Sequence, residues 1–179
     1  IVAGVKVGVT GTENYKYAFE VLTLVNKERK KVGAAPLTME KSLLETAMLR
    51  SYECALYFDH TRPSGSDCFT ANSLMSGENI AAGQTSPSSV VKGWMNSTGH
   101  RQNILNASFK TIGIGCVNVN GVYLWVQCFG TGGGSTANAS SYSNKTSTRK
   151  VLTASGLVSQ AASFSLAKTS LKVGETTTF

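Results

Sequence analysis

Two stretches near the middle of the chain alternate most cleanly, Thr111–Val119 and Val122–Gly130, and Asn120-Gly121 between them is a two-residue hairpin turn. In that register Val119 faces Val122, Cys116 faces Trp125 and Gly113 faces Cys128. One face of the hairpin carries Val117, Val119, Val122, Leu124 and Val126, and the other Ile112, Ile114, Tyr123, Trp125 and Phe129. Both faces are apolar, so an antiparallel sheet built on them needs cover on both sides. The pattern therefore predicts an α+β domain, a three-layer α/β/α sandwich around a small central antiparallel sheet.

The covering helices are visible as period-3.6 stretches. Ala18, Val21, Leu22, Val25 and Val32 recur at helical spacing from Tyr15 to Val32, with Gly33 as the stop. Lys27, Arg29, Lys30 and Lys31 crowd the last turn, where cations oppose the helix dipole, and they read as a solvated helix end. Pro36-Leu37-Thr38 resets the chain, with Thr38 as the cap and Glu40 in the first turn of a second helix running to about Tyr57. Its apolar residues fall on two stripes, Leu44/Ala47/Met48/Ala55 and Leu43/Leu49/Tyr52/Leu56, so much of its circumference is buried. A helical turn follows over Phe69–Leu74. Ser86-Pro87 then starts a short helix with Val90, Val91 and Trp94 on one face, broken at Asn96–Gly99.

Outside these elements the chain changes character. Residues 1–14 alternate Val with Gly or Lys and read as a peripheral strand or arm. After Gly130 the segment 132–150 is Gly, Ser, Thr and Asn with little to bury, a linker by composition. The domain is thus bounded at 15–131, and residues 151–179 form a separate C-terminal segment. The opening IVAGVKVGVTG lacks a basic n-region and a cleavage site, as in a piece of a longer chain.

Charge changes the picture only slightly. The net charge is +7, from 12 basic against 9 acidic residues in 1–130 and 5 against 1 in 131–179, so the excess is concentrated in the tail. A basic tail suits an anionic polymer, yet no interleaved aromatics or nucleic-acid motif accompany it, so nucleic acid is excluded as a partner. With 41% hydrophobic residues and no apolar run of membrane length, the chain does not span a membrane. The four cysteines, Cys54, Cys68, Cys116 and Cys128, lack CxxC or zinc-knuckle spacing. The hairpin register puts Cys116 and Cys128 on opposite faces, too far apart to bridge, which leaves Cys54–Cys68 as the candidate disulfide and free buried thiols as the alternative. Neither Cys54 nor Cys68 has a setting that would make it a nucleophile.

Taken together, FDHTRPSG with the following CFT, GENIAAG, WMNSTGHRQNIL, FKTIGIG and YLWVQCFG resemble, in order and spacing, the bacterial branch of the SCP or CAP superfamily over about residues 15–131. The resemblance implies an α/β/α fold and a secreted or cell-surface protein. The terminal SFSLAKTSLKVGETTTF resembles the opening of a bacterial immunoglobulin-like repeat.

Members of this family present a cleft with two histidines and two acids. By motif His60, Glu78 and His100 match three of the four, and Ser97 stands where the second acid would be. Gln127, on the Trp125 face of the sheet, is a further cleft candidate. Two imidazoles and a carboxylate make up a His2Glu zinc site with an open fourth position, in which Glu78 is ligand or base of a peptidase or esterase. The same three residues also make a satisfied polar clamp. The favoured reading is an extracellular interaction module binding protein, peptide or cell-wall polymer, and the zinc-assisted hydrolase is the alternative.

Overall fold

The computed structural model describes residues 4–156 and the backbone of 172–178. Strands β4 (Thr111–Val119) and β5 (Val122–Gly130) form the expected hairpin in the expected register, Val119 opposite Val122, Cys116 opposite Trp125 and Gly113 opposite Cys128. Asn120 and Gly121 both take positive φ, 50° and 86°, the backbone that a two-residue turn of this hand requires. On the other side of β5 lies β3 (Gly77–Ala82), antiparallel, with Glu78 opposite Cys128 and Asn79 opposite Gln127.

Helices cover both faces. α2 (Lys41–Leu56) lies on the face carrying Gly113, Gly115 and Val117, where Leu43, Ala47 and Cys54 join Ile80, Leu124, Val126 and Cys128 in one apolar cluster. Its backbone rests directly on β4. A Cβ on Gly113 would collide with the Leu43 carbonyl and one on Gly115 with that of Ala47, so both positions need glycine for close approach rather than for φ. The opposite face, with Ile112, Ile114, Cys116, Trp125 and Phe129, is covered by α1 (Tyr15–Lys31), α3 (Pro87–Met95) and α4 (Thr98–Leu105). The α/β/α sandwich is thereby established.

Local chemistry explains the helix ends. Ser86 caps α3 in a reciprocal pair with Ser89, with Pro87 in the first turn. For α2 the cap is Glu40 rather than Thr38. The Glu40 carboxylate accepts from the Leu43 amide at 2.7 Å, and Thr38 sits instead in the two-residue strand β2 (Thr38–Met39), parallel to β4. The basic end of α1 is not wholly solvated either. Arg29 is fully buried and donates to the carbonyls of Ala35, Ile104, Asn106 and Phe109, tying α1 to the segment between α4 and β4. Its guanidinium satisfies carbonyls that a loop buried beneath a helix would otherwise leave orphaned.

The ends of the chain, β1 (Gly4–Glu13), β6 (Lys145–Ala154) and β7 (Lys172–Thr178), join the same sheet, in the order β6-β1-β4-β5-β3-β7. β1 pairs with β4 only at Thr12 and Glu13, but with β6 along its whole length, from Gly4–Ala154 to Glu13–Lys145. The two form a ribbon that folds back over α2. Val9, Val151 and Thr153 are buried, and Ala154 N–H donates to the Pro63 carbonyl at 2.8 Å. Buried Glu13 fastens the ribbon by accepting from Arg149, Tyr15 and Tyr52. Composition had suggested a linker over 132–150, whereas Lys145–Ala154 is a strand. Small hydroxyl residues suffice in an edge strand with one solvated face, where Thr146 and Thr148 pair with Thr12 and Thr10.

The segment resembling an immunoglobulin-like repeat falls mostly outside the described residues. Its described part, β7 (Lys172–Thr178), runs antiparallel along β3.

Candidate functional site

β3 positions the site because its side chains alternate across the sheet. Glu78 turns toward α2, while Gly77 and Asn79 turn toward α4, where a Cβ on Gly77 would meet Phe109 and Asn103. This alternation divides the expected cleft into two clusters.

On the α2 face Glu78 is fully buried, and both its oxygens are bonded. Arg50 Nε donates to Oε2 at 2.8 Å and Nη2 to Oε1 at 3.0 Å, a bidentate pair, while His60 Nδ1 lies 2.8 Å from Oε1. Arg50 also donates to Glu53 Oε2 at 2.7 Å and to the Asp59 carbonyl at 2.8 Å, and Arg62 closes the network on Glu53 with Nη2–Oε1 at 2.7 Å. Two guanidiniums thus balance two carboxylates within a largely buried array. Burial alone would raise the Glu78 carboxyl, but the His60 hydrogen bond and the Arg50 charge outweigh it and hold the group below the ordinary carboxylate range.

Sequence reading missed Arg50, although a signal was present. Arg50 and Glu53 stand one turn apart on a helix whose apolar residues occupy two stripes, so charges between those stripes must find partners inside.

On the α4 face His100 is buried, with Nδ1 2.7 Å from Ser97 Oγ, and its carbonyl accepts from Asn79 Nδ2 at 3.2 Å. Asn79 Nδ2 also donates to Gln127 Oε1, and Asn103 Nδ2 to Asn79 Oδ1, both at 3.0 Å. Ser97, His100 and Gln127 therefore belong together, on the other side of the strand from His60 and Glu78.

Among the described residues, the metal-ligating groups that gather within 4.8 Å of one another are His60, Cys68 and Glu78, not the expected His60, Glu78 and His100. A divalent cation does not fit the set that is present. Arg50 grips both Glu78 oxygens and places a fixed positive charge beside them, and burial pushes the Cys68 thiol away from its ligating form. The expected Cys54–Cys68 bridge is absent: all four thiols are free and buried. Cys68 is turned toward His60 and Glu78, and Cys54 sits in the α2 core, its thiol pushed up to about 12 by burial.

Calorimetric titration of chelator-treated protein with zinc is expected to give no micromolar binding. Micromolar binding lost in His60→Ala would mean that a metal displaces Arg50 and would reverse this reading.

Comparison with known proteins places this architecture. The chain is 42% identical over 121 residues to the uncharacterized protein YkwD of Bacillus subtilis, covering 63% of this chain and 46% of that one. It is 33% identical over 104 residues to the uncharacterized membrane protein YlbC of the same organism, covering 54% and 30%. It thus spans less than half the length of these curated relatives.

Among solved structures it resembles an extracellular protein containing a SCP domain from Bacillus anthracis, at TM-score 0.59 and 25% identity, covering 66% of this chain and 41% of that one. It also shares its fold with an outer surface protein of Borrelia burgdorferi, at TM-score 0.55 and 20% identity, covering 72% and 98%. The CAP family model matches residues 22–129. With five motifs in order, an α/β/α sandwich and a family match across most of it, the chain belongs to the CAP, or cysteine-rich secretory protein, family.

Proposed function

We propose that this chain is an extracellular interaction module, secreted or held at a bacterial cell surface, whose His60–Glu78 cluster is a structural clamp rather than a reaction centre. The observation carrying this reading is the bidentate Arg50–Glu78 pair. A carboxylate held below its ordinary range by a guanidinium and an imidazole is a weak base, and with His100 across the strand no second imidazole stands beside it. Two surface hollows lie elsewhere. One of about 490 Å3 is lined by residues including Tyr15, Phe19 and Tyr142, and one of about 250 Å3 by residues including Leu24, Val91 and Met95; neither includes His60, Glu78 or His100. The extracellular and outer-surface descriptions of the Bacillus anthracis and Borrelia burgdorferi proteins support the same location.

The partner class is protein, peptide or cell-wall polymer. The labelled chain is expected to be retained by purified Bacillus subtilis cell envelopes, and His60→Ala with His100→Ala to be retained equally while staying folded. Retention lost in the folded double variant would move recognition into the histidine clusters. Turnover of peptide or ester substrates with added zinc, abolished by the same pair of substitutions, would favour the hydrolase instead.

A further inference from the structure

The outer edge of β3 is an unusual one. β3 is short, and all of it but Ala82 is buried. Natural edge strands protect themselves with lysine, proline or an inward-pointing charge that disfavours pairing. β3 has no lysine or proline, and its one charged side chain, Glu78, is neutralised inside by Arg50. Its edge main chain is therefore an unguarded template for another strand.

The chain covers this template with its own β7. Gly77 faces Thr178, Glu78 faces Thr177 and Asn79 faces Thr176, then the register shifts, and pairing resumes at Ala81–Val173 and Ala82–Lys172, so that Ile80 has no partner in the ladder. The fit of β7 is thus broken in its middle, and the strand contains Gly174, which weakens a strand interior.

β7 is also connected so that it can leave without unravelling the sheet. Strand directions put the end of β6 and the start of β7 at the same end of the sheet, on opposite edges of the order β6-β1-β4-β5-β3-β7. Residues 155–171 join them, and at about 3.3 Å per residue they reach well past five strand spacings of about 4.8 Å. Removing β7 leaves the β3–β5–β4 pairings untouched.

We propose that the β3 edge is a peptide-docking edge: an extended segment of a partner protein pairs antiparallel with Gly77–Ala82 in the place that Lys172–Thr178 holds, and β7 is its intramolecular competitor. This rests on reading the chain as an interaction module and names the surface it would use. Affinity comes from main-chain hydrogen bonds in unbroken register. Selectivity comes from the two walls, the loop bearing His60 on the side to which Glu78 turns and α4, which lies alongside β7, on the other.

The test compares the full chain with Lys172→Pro/Thr177→Pro, which removes the β7 backbone donors that face Ala82 and Glu78. The probes are a fluorescein-labelled peptide of the sequence Lys172–Thr178 and the same peptide with both prolines. Amides of Glu78 and Ala82, the paired β3 residues that face β7 rather than β5, are expected to exchange at least tenfold more slowly in the full chain than in the variant, and the variant to bind the labelled peptide at least tenfold more tightly. The proline-bearing peptide should bind neither.

Unchanged Trp94 and Trp125 emission shows that the variant is folded. In the unsubstituted chain, excess unlabelled peptide should speed exchange in Lys172–Thr178. Equal exchange in both proteins, a folded variant with an exposed β3 that takes up no peptide, or dimers formed by swapped tails would each overturn the proposal. Envelope retention is scored separately. Its loss with peptide uptake intact would sink the interaction-module reading, whereas intact retention without peptide uptake would sink the β3 edge.

Discussion

Replacing Arg50 with leucine is expected to lower the unfolding free energy by about 3–5 kcal/mol, because the substitution strands buried charge rather than merely deleting a contact. Arg50 is fully buried and holds Glu78, Glu53 and the Asp59 carbonyl together. Without it Glu78 keeps only the His60 contact, in a site too dry to support a lone carboxylate. Lysine does not substitute, since an ammonium has three N–H donors on one nitrogen for the four bonds that the Arg50 fork makes to Glu78, Glu53 and Asp59. Arg50→Leu combined with Glu78→Leu should recover part of the loss, because it removes charge from both sides of the pair.

Acid provides an independent readout. The folded Glu78 carboxyl lies below its ordinary value of 4.5, so its stabilisation is fully present above that value and is lost as pH falls through the lower folded one. In Arg50→Leu burial pushes the unpaired Glu78 carboxyl up, so its protonation relieves the strain and the stability gap between the two proteins should narrow as pH falls. Urea denaturation followed by tryptophan emission measures both effects. A loss under about 1 kcal/mol would show that the pair is replaceable by solvent.

Gly113→Ala is expected to cost about 3 kcal/mol, lowering the melting temperature by roughly 6–12 °C. The added Cβ would meet the carbonyl of Leu43 and the amide nitrogen of Leu44, which are backbone atoms of α2 and cannot rotate away. The helix must lift, opening a gap beneath Leu43 and Ala47. Since Arg50 rides two turns further along α2, the Arg50–Glu78 pair should loosen as well. Gly8→Ala is the control. Its Cβ meets only the Thr148 methyl at 3.5 Å, an ordinary contact, and the melting temperature should hold.

The hairpin was legible in the sequence because alternation and an Asn-Gly turn fix register locally, and the sandwich followed from its two apolar faces. β3 was not. GENIAA is six residues buried on both faces, with no alternation to separate strand from helix. That single omission had consequences for the site. The motifs showed that His60, Glu78, Ser97, His100 and Gln127 carry the polar chemistry, but only the strand's pleat shows that Glu78 and Gln127 point to opposite sides. α4 was hidden by an Asn-Ser-Thr-Gly run that reads as a break, and β6 by a composition that looks like linker until β1 lies beside it.

The β1–β6 ribbon has a mechanical meaning. Gly4 and Ala154 are a paired rung at its free end, so tension applied between these two residues pulls the strands apart crosswise, one rung at a time, instead of sliding them past each other. Parting by unzipping needs little force per step. The first rung to go also strains the Ala154–Pro63 bond, three residues from His60. A CAP domain pulled at residues 4 and 154 would therefore yield first where the ribbon meets the loop that holds His60, while α2, β3 and the Arg50–Glu78 pair stay packed, giving the fold a sacrificial outer layer over its core.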